Sequence, residues 1–310
     1  MAFPFHAYRS NIIFVLALIF GIVLPQCARV GSILILPALT IIITITLLRF
    51  PSGFFRNPGS LFYSSLRANM MNYLVLGNFI VLTGVFLIHK QELWVGMVLV
   101  AAMPLSLEII IMGNLLRIDQ NYVFTSVAGT YLGALFIVPL LSLGFLKYMN
   151  LNYWEIIVMI LCLIVLPLLF SRIAVDKDWD ETISRHDDMI MDYSSFVVFY
   201  AITANCKNFL LNWSADLLIM IVIAFMSTFL FYFIARRIGY YFQVPQEKIN
   251  YYILPSTMKE CGLAGGIALT VFSAEVAMPA LIFAVFTYIY MNWLKFRFRH
   301  LAASENNQGT

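Results

Sequence analysis

Three ionisable residues, Glu108, Lys259 and Glu260, lie inside stretches that are otherwise apolar enough for a membrane interior. Each stretch also carries a proline. Pro104 is followed by Ser106 and Glu108, then by Gly113-Asn114; Pro255 is followed by Ser256, Thr257, Lys259 and Glu260, then by Gly262. A proline deletes a backbone donor and glycines loosen a helix, so Pro104, Pro255 and Gly262 mark helix breaks near mid-membrane. Charges at that depth are costly and face a protein interior or a water-filled cavity. Freed half-helix ends add to the chemistry: N-termini attract anions and carbonyls attract cations. Glu108 and Lys259 each stand four residues past their proline, so two equivalent breaks that cross bring them towards each other. Such a pair is either a structural ion pair or a carboxylate whose protonation responds to what binds, as a proton-coupled carrier requires. Glu260, adjacent to Lys259, points elsewhere on a helix and backs the site, unless the backbone there is non-helical.

Further polar residues within apolar stretches are Asn78, Thr125, Ser126, Thr130, Asp192, Ser194, Thr203 and Asn205. Each either lines a cavity or makes helix–helix hydrogen bonds. Asn78, Asn114 and Thr130 join Ser106, Ser256 and Thr257 as candidate substrate or ion ligands. No phosphate loop, nucleophile elbow, HExxH or paired CxxC occurs, and the chain is not read as an enzyme. Cys27, Cys162, Cys206 and Cys261 are scattered, which suggests neither a disulfide framework nor a metal site. His6, His89, His186 and His300 fall in termini or loops. No cofactor is expected; the coupling ion is a proton or sodium.

Holding these residues at membrane depth takes a polytopic helical protein. The 310 residues are 62% hydrophobic and 11% charged, and mean hydropathy is +0.87. A soluble domain has about 25% charged residues. The net charge of +3 reflects basic loops and does not point to nucleic acid. At about 20 residues per crossing, ten segments are expected at approximately 11–27, 31–49, 70–88, 93–116, 121–146, 153–172, 188–207, 214–235, 250–272 and 278–295. Leu24-Pro25-Gln26-Cys27 faintly resembles a lipoprotein cleavage site, but Asn11 to Pro25 is read as a retained first helix. Arg29, Lys90, Lys147 and Lys207 fall on the far side, and every other Lys or Arg except Lys259 on the side of the N-terminus. That asymmetry puts both termini in the cytoplasm. Trp94, Trp154 and Trp213 stand at outer segment starts, where an interfacial belt belongs.

An acidic connection, Asp176-Lys177-Asp178-Trp179-Asp180-Glu181 with His186-Asp187-Asp188, is read as a solvated linker, with a partner-binding site as the alternative. It divides the chain into 1–172, the linker 173–187 and 188–310, the second repeat beginning with the sixth segment at about 153. Five segments per half force the halves to run oppositely, as inverted repeats with the fourth and ninth segments broken and crossing.

This plan resembles the bile acid:sodium symporter family and its auxin-efflux-carrier relatives. Met103-Pro104-Leu105-Ser106-Leu107-Glu108 is similar to the carriers' MPxAxN motif, and Asp119 to the Asp that follows it. Thr257-Met258-Lys259-Glu260-Cys261-Gly262-Leu263-Ala264 is similar to the TGxKNxxLA pattern of the ninth segment, and Pro279 fits the outline. The resemblance covers nearly the whole chain in layout and about thirty residues in motif. It implies a panel domain, a core domain, a cavity near the crossing, and organic-anion transport by rocking of one domain against the other. Where the motifs have asparagine, this chain has Glu108 and Glu260. The glutamate opening the ninth-segment motif of sodium symporters corresponds to Pro255, and their glutamine to Lys259. A fixed ammonium there replaces the ion by its own charge, so proton coupling or uniport is expected rather than sodium coupling.

The expected function is therefore secondary transport of a small organic anion across a bacterial-type plasma membrane. In that reading Lys259 meets the substrate carboxylate, while Glu108 binds the coupling proton or holds Lys259. A monovalent cation/proton exchanger is the alternative within transport. A non-transporting membrane sensor or scaffold is the alternative outside it.

Overall fold

The computed structural model describes residues 5–49, 58–145, 153–177, 179, 183 and 186–308. Of the residues read as loop charges, Arg56, Lys147, Asp178, Asp180, Glu181 and Arg185 lie outside the described residues. Among the described residues the chain is helical, with no strand and one isolated bridge, Leu105 with Lys259. The first half comprises α1 (Phe5–Val23), α2 (Ala28–Leu48), α3 (Pro58–Asn69), a π-helical stretch (Met70–Gly77), α4 (Asn78–Leu87), α5 (Gln91–Ala102), α6 (Ile109–Leu115) and α7 (Gln120–Phe145). The second comprises α8 (Tyr153–Asp176), α9 (Asp187–Leu211), α10 (Ala215–Phe225), a second π stretch (Met226–Leu230), α11 (Phe231–Tyr241), α12 (Gln246–Ile253), a 3-10 turn (Leu254–Ser256), α13 (Cys261–Val271) and α14 (Ala274–Gln308).

Among the described residues the stretches read as segments are largely helical, the fourth and ninth being interrupted at 103–108 and 257–260, and the boundaries move. The third begins at Pro58, well before the expected 70, and runs unbroken to Leu87 by way of the π stretch. The tenth continues to Gln308. Among the described residues, five helical stretches are long and apolar enough to cross a membrane: Pro25–Leu48, Phe62–Leu87, Gln120–Leu141, Ala215–Tyr241 and Ala274–Phe298. Arg9–Val23, Gln91–Ala102 and Cys261–Val271 are shorter apolar helices. Exposed Ile33, Phe86 and Phe136 show why burial and hydropathy part company here: large apolar side chains lie on the outside, as lipid-facing surfaces require.

Local chemistry accounts for several ends. Ser214 caps α10, its hydroxyl accepting the Leu217 amide at 3.2 Å, with Asp216 in the first turn. Asp187 and Asp188 open α9, where the helix dipole favours negative charge. Met103 precedes Pro104 and is forced extended, ending α5 at Ala102.

The helices pack in two sets. In one, α1, α2 and α9 lie together and α8 packs on α2. In the other, α3 packs on α7, α4 on α5, and α14 on both α5 and α13. Gly96 allows α14 to approach α5 closely: a Cβ there would stand 2.2 Å from the Val276 carbonyl oxygen. The cores of the two sets meet where α9 contacts α13 and α14.

Candidate functional site

The two interrupted stretches run antiparallel past each other where neither is helical. The Glu260 amide donates to the Pro104 carbonyl at 3.0 Å and the Ser106 amide to the Met258 carbonyl at 3.5 Å. These bonds flank the Leu105–Lys259 bridge. Backbone groups released by one break are therefore satisfied by the other. An unpaired amide or carbonyl at this depth would cost several kcal/mol.

Extended backbone sends successive side chains to opposite sides, and that separates Lys259 from Glu260. Lys259 is 2% exposed. Its Nζ donates to the carbonyls of Ala101 at 2.7 Å and Met103 at 3.0 Å, and sits 4.6 Å from the centroid of the Tyr73 ring. The ammonium thus caps the C-terminal end of α5, where the helix dipole favours a cation, and the ring face adds a cation–π attraction. Asn72 reinforces the arrangement by donating to the same Met103 carbonyl at 3.2 Å.

Glu260 faces the other way. It is the N-cap residue of α13, and its Oε2 accepts the Leu107 amide at 3.0 Å. Glu108 holds the equivalent place, the residue before α6. Its carboxylate accepts the Ser106 hydroxyl and, at 3.3 Å, the hydroxyl of Tyr288. Both carboxylates line one cavity of about 160 Å³. No ion pair within 4 Å joins either of them to a cation among the described residues.

The cavity lies between α1, α2 and α9 on one side and α6, α13 and α14 on the other. Phe14, Phe199 and Tyr288 form an aromatic wall. Phe14 stacks on Tyr288 with centroids 3.9 Å apart, and Phe199 meets Phe14 edge-on at 4.8 Å. Towards the ends of α1, α2 and α9 the lining becomes ionic. Arg9 is bonded to Asp192, which also accepts the Ser10 hydroxyl at 2.9 Å. Arg49 bonds Asp187 at 2.9 Å and Asp188 at 2.6 Å. Lys295 completes this rim.

The expected approach of Glu108 and Lys259 is therefore replaced by a different pairing. The two glutamates share the cavity, and the lysine is turned into the helix packing. Of the other expected ligands, Ser106 reaches the site through Glu108. Thr130 supports it from behind, its Oγ1 accepting the Leu105 amide at 3.3 Å. Ser256 and Thr257 bond back to the Ile253 carbonyl at 3.0 and 2.9 Å and close the turn after α12. Asn78 and Asn114 are exposed and are not brought to the crossing; Asn78 bonds the Leu74 carbonyl of its own helix. Gly262 lines the cavity from the first turn of α13, so it begins a half-helix and is not itself the break. Thr125 and Thr203 bond back to carbonyls one turn earlier, and Asn205 reaches Ser32 across to α2 at 3.0 Å.

Residues that the sequence did not single out are Asn72, Tyr73, Phe14, Phe199 and Tyr288. Asn72 carried a usable signal, a polar group in an apolar run, but Asn78 six positions on carried the same one. The aromatic residues carried none, being four among many.

No protein-family profile matches the chain, and no curated protein sequence matches it. The resemblance drawn from the segment layout, Met103–Glu108, Asp119, Thr257–Ala264 and Pro279 rests on the sequence alone.

Proposed function

We propose that this chain is a secondary transporter whose bound species is cationic, a proton or monovalent cation held by Glu108 and Glu260. The observation that carries the reading is the pair of carboxylates lining one cavity with no cation bonded to either. Two carboxylates at one site favour a shared proton or a bound cation, because the donors Leu107 N, Ser106 Oγ and Tyr288 OH offset desolvation only in part and leave the mutual repulsion unrelieved.

An inverted repeat of ten crossing helices supplies the framework. Several equivalences support it. Each half has one π-interrupted helix, Met70–Gly77 and Met226–Leu230, and one broken segment ending in a glutamate before its second half-helix. Packing follows the same exchange: α1 with α9 matches α2 with α8, and α3 with α7 matches α10 with α14. With both termini cytoplasmic, the ionic rim of Arg9, Arg49 and Lys295 lies at the cytoplasmic end, and this is an inward-facing state of a plasma-membrane carrier. Rocking of the α1, α2, α8 and α9 set against the rest would expose the glutamates to the other side.

The organic-anion reading depended on Lys259 meeting substrate, and its ammonium is bonded to helix-end carbonyls. What still favours an anion is the cationic rim, although Arg9 and Arg49 are bonded to aspartates. Reconstituted vesicles containing a pH-sensitive dye distinguish the readings. Internal pH change on adding sodium or potassium, without organic solute, supports cation/proton exchange. Uptake of organic acids with no response to cations refutes it.

A further inference from the structure

The shape and chemistry of the cavity narrow the class of cation. Resting on the cationic reading above, we propose that the site admits a small alkylammonium ion, its charged head on Glu108 and Glu260 and its hydrocarbon on Phe14, Phe199 and Tyr288.

The charge requirement comes from what surrounds the glutamates. Of the basic residues near them, Arg9 is committed to Asp192 and Arg49 to Asp187 and Asp188. Lys259 is on the opposite side of the crossing. Lys295 stands seven positions beyond Tyr288 on α14, which is about 10 Å along the helix towards the rim. Each glutamate has neutral donors, namely Leu107 N for one and the Ser106 and Tyr288 hydroxyls for the other. Those donors fix the carboxylates in place without neutralising them.

The hydrocarbon requirement comes from the walls. A bare alkali or alkaline-earth ion takes a shell of oxygen ligands. The cavity that holds these carboxylates is instead walled in large part by Phe14, Phe199, Tyr288, Leu39, Val198 and Met291, with Asn11, Thr46 and Ser195 as neutral polar members of the lining. An alkylammonium ion satisfies both surfaces: its head donates to the carboxylate pair, its chain displaces water from apolar wall, and the adjoining aromatic rings attract the cationic head. At about 160 Å³ the cavity suits a small ion, far below the pockets that enclose drug-sized ligands.

Purified full-length protein in detergent is titrated with ethylammonium, n-propylammonium, n-butylammonium and tetramethylammonium chlorides. Sodium chloride at equal ionic strength and sodium butyrate serve as controls, and melting temperature and heat of binding are read. The expected result is saturable binding whose affinity rises about threefold to fourfold per methylene from ethyl to butyl. Glu108→Gln and Glu260→Gln each weaken it about tenfold or more, and Phe199→Ala flattens the chain-length series. Should a glutamine variant fail to fold, the chain-length series in the wild-type protein and its flattening in Phe199→Ala carry the test. Absence of saturable binding for every ammonium ion overturns the inference; if sodium or potassium still drives proton movement in vesicles, the cation-carrier reading survives it. Binding of butyrate in place of the ammonium ions overturns both.

Discussion

Lys259 and Glu260 are neighbours in sequence and lie on opposite sides of the crossing. One bonds the carbonyls of Ala101 and Met103; the other accepts the Leu107 amide and lines the cavity. Their opposite charges therefore do different work. The lysine ties the ninth-segment break to the end of α5, and the glutamate, with Glu108, lines the cavity and is the group proposed to bind there.

Replacing Lys259 should expose that division. Lys259→Ala leaves the Ala101 carbonyl without the ammonium and weakens the hold on Met103. A buried group left unsatisfied costs about 1–3 kcal/mol, so we expect a loss of at least about 2 kcal/mol, read as a lowered melting temperature in detergent. Lys259→Met keeps most of the volume and removes the charge. If Lys259→Met melts with the wild-type protein, the ammonium is not what secures the crossing.

Glu108→Gln and Glu260→Gln should each abolish cation-driven proton movement in vesicles while preserving the fold, because glutamine keeps the size and the acceptor oxygen. A loss of about 100-fold or more in rate is expected if the charge itself is the ligand, in the range seen when a positioned acid–base group is removed. Retention of wild-type rates by both variants would remove the glutamates from the proposed role.

Asn72 and Thr130 should behave as structural supports of the break after α5. Asn72→Leu removes the donor to Met103, and Thr130→Val removes the acceptor for the Leu105 amide. About 1–2 kcal/mol of stability should be lost in each case, with the apparent affinity for the bound cation changed far less than in the glutamate variants. Chemical denaturation and binding heats on the same preparations check both halves of this statement.

The Arg9–Asp192 contact at the rim is suited to a double-mutant cycle. Arg9→Gln leaves Asp192 with only Ser10 among its bonded partners here, and Asp192→Asn leaves Arg9 without its carboxylate. The double variant should be more stable than the sum of the single losses implies, by about 0.5–3 kcal/mol. Additive losses would mean that the pair contributes nothing beyond its separate members.

The helical, membrane-embedded character was legible because charge depletion and long apolar runs act over many residues. The breaks were legible for a local reason: Pro104 cannot donate, and it forces Met103 extended. Side-chain direction was not legible, because it depends on backbone that is neither helix nor sheet. A helical reading of Thr257 to Glu260 turns Lys259 by about 100° from Glu260; the extended backbone opposes them. Four-residue spacing from each proline likewise suggested that Glu108 would meet Lys259. The antiparallel crossing instead puts Leu105 opposite Lys259 and brings Glu260 to the amide of Leu107. The third segment began earlier than expected because Pro58 to Asn69 is a polar helical extension that hydropathy alone does not register.

The π stretch Met70–Gly77 contains both Asn72 and Tyr73, the residues that hold Met103 and face the Lys259 ammonium. A π turn takes in more residues than an α turn. Returning one surplus residue to regular α-helix would rotate the chain on one side by about 100° and slide it by about 1.5 Å. Asn72 and Tyr73 would then disengage together. The two contacts are therefore tied to one register: a shift of the third segment by a whole residue would break both at once.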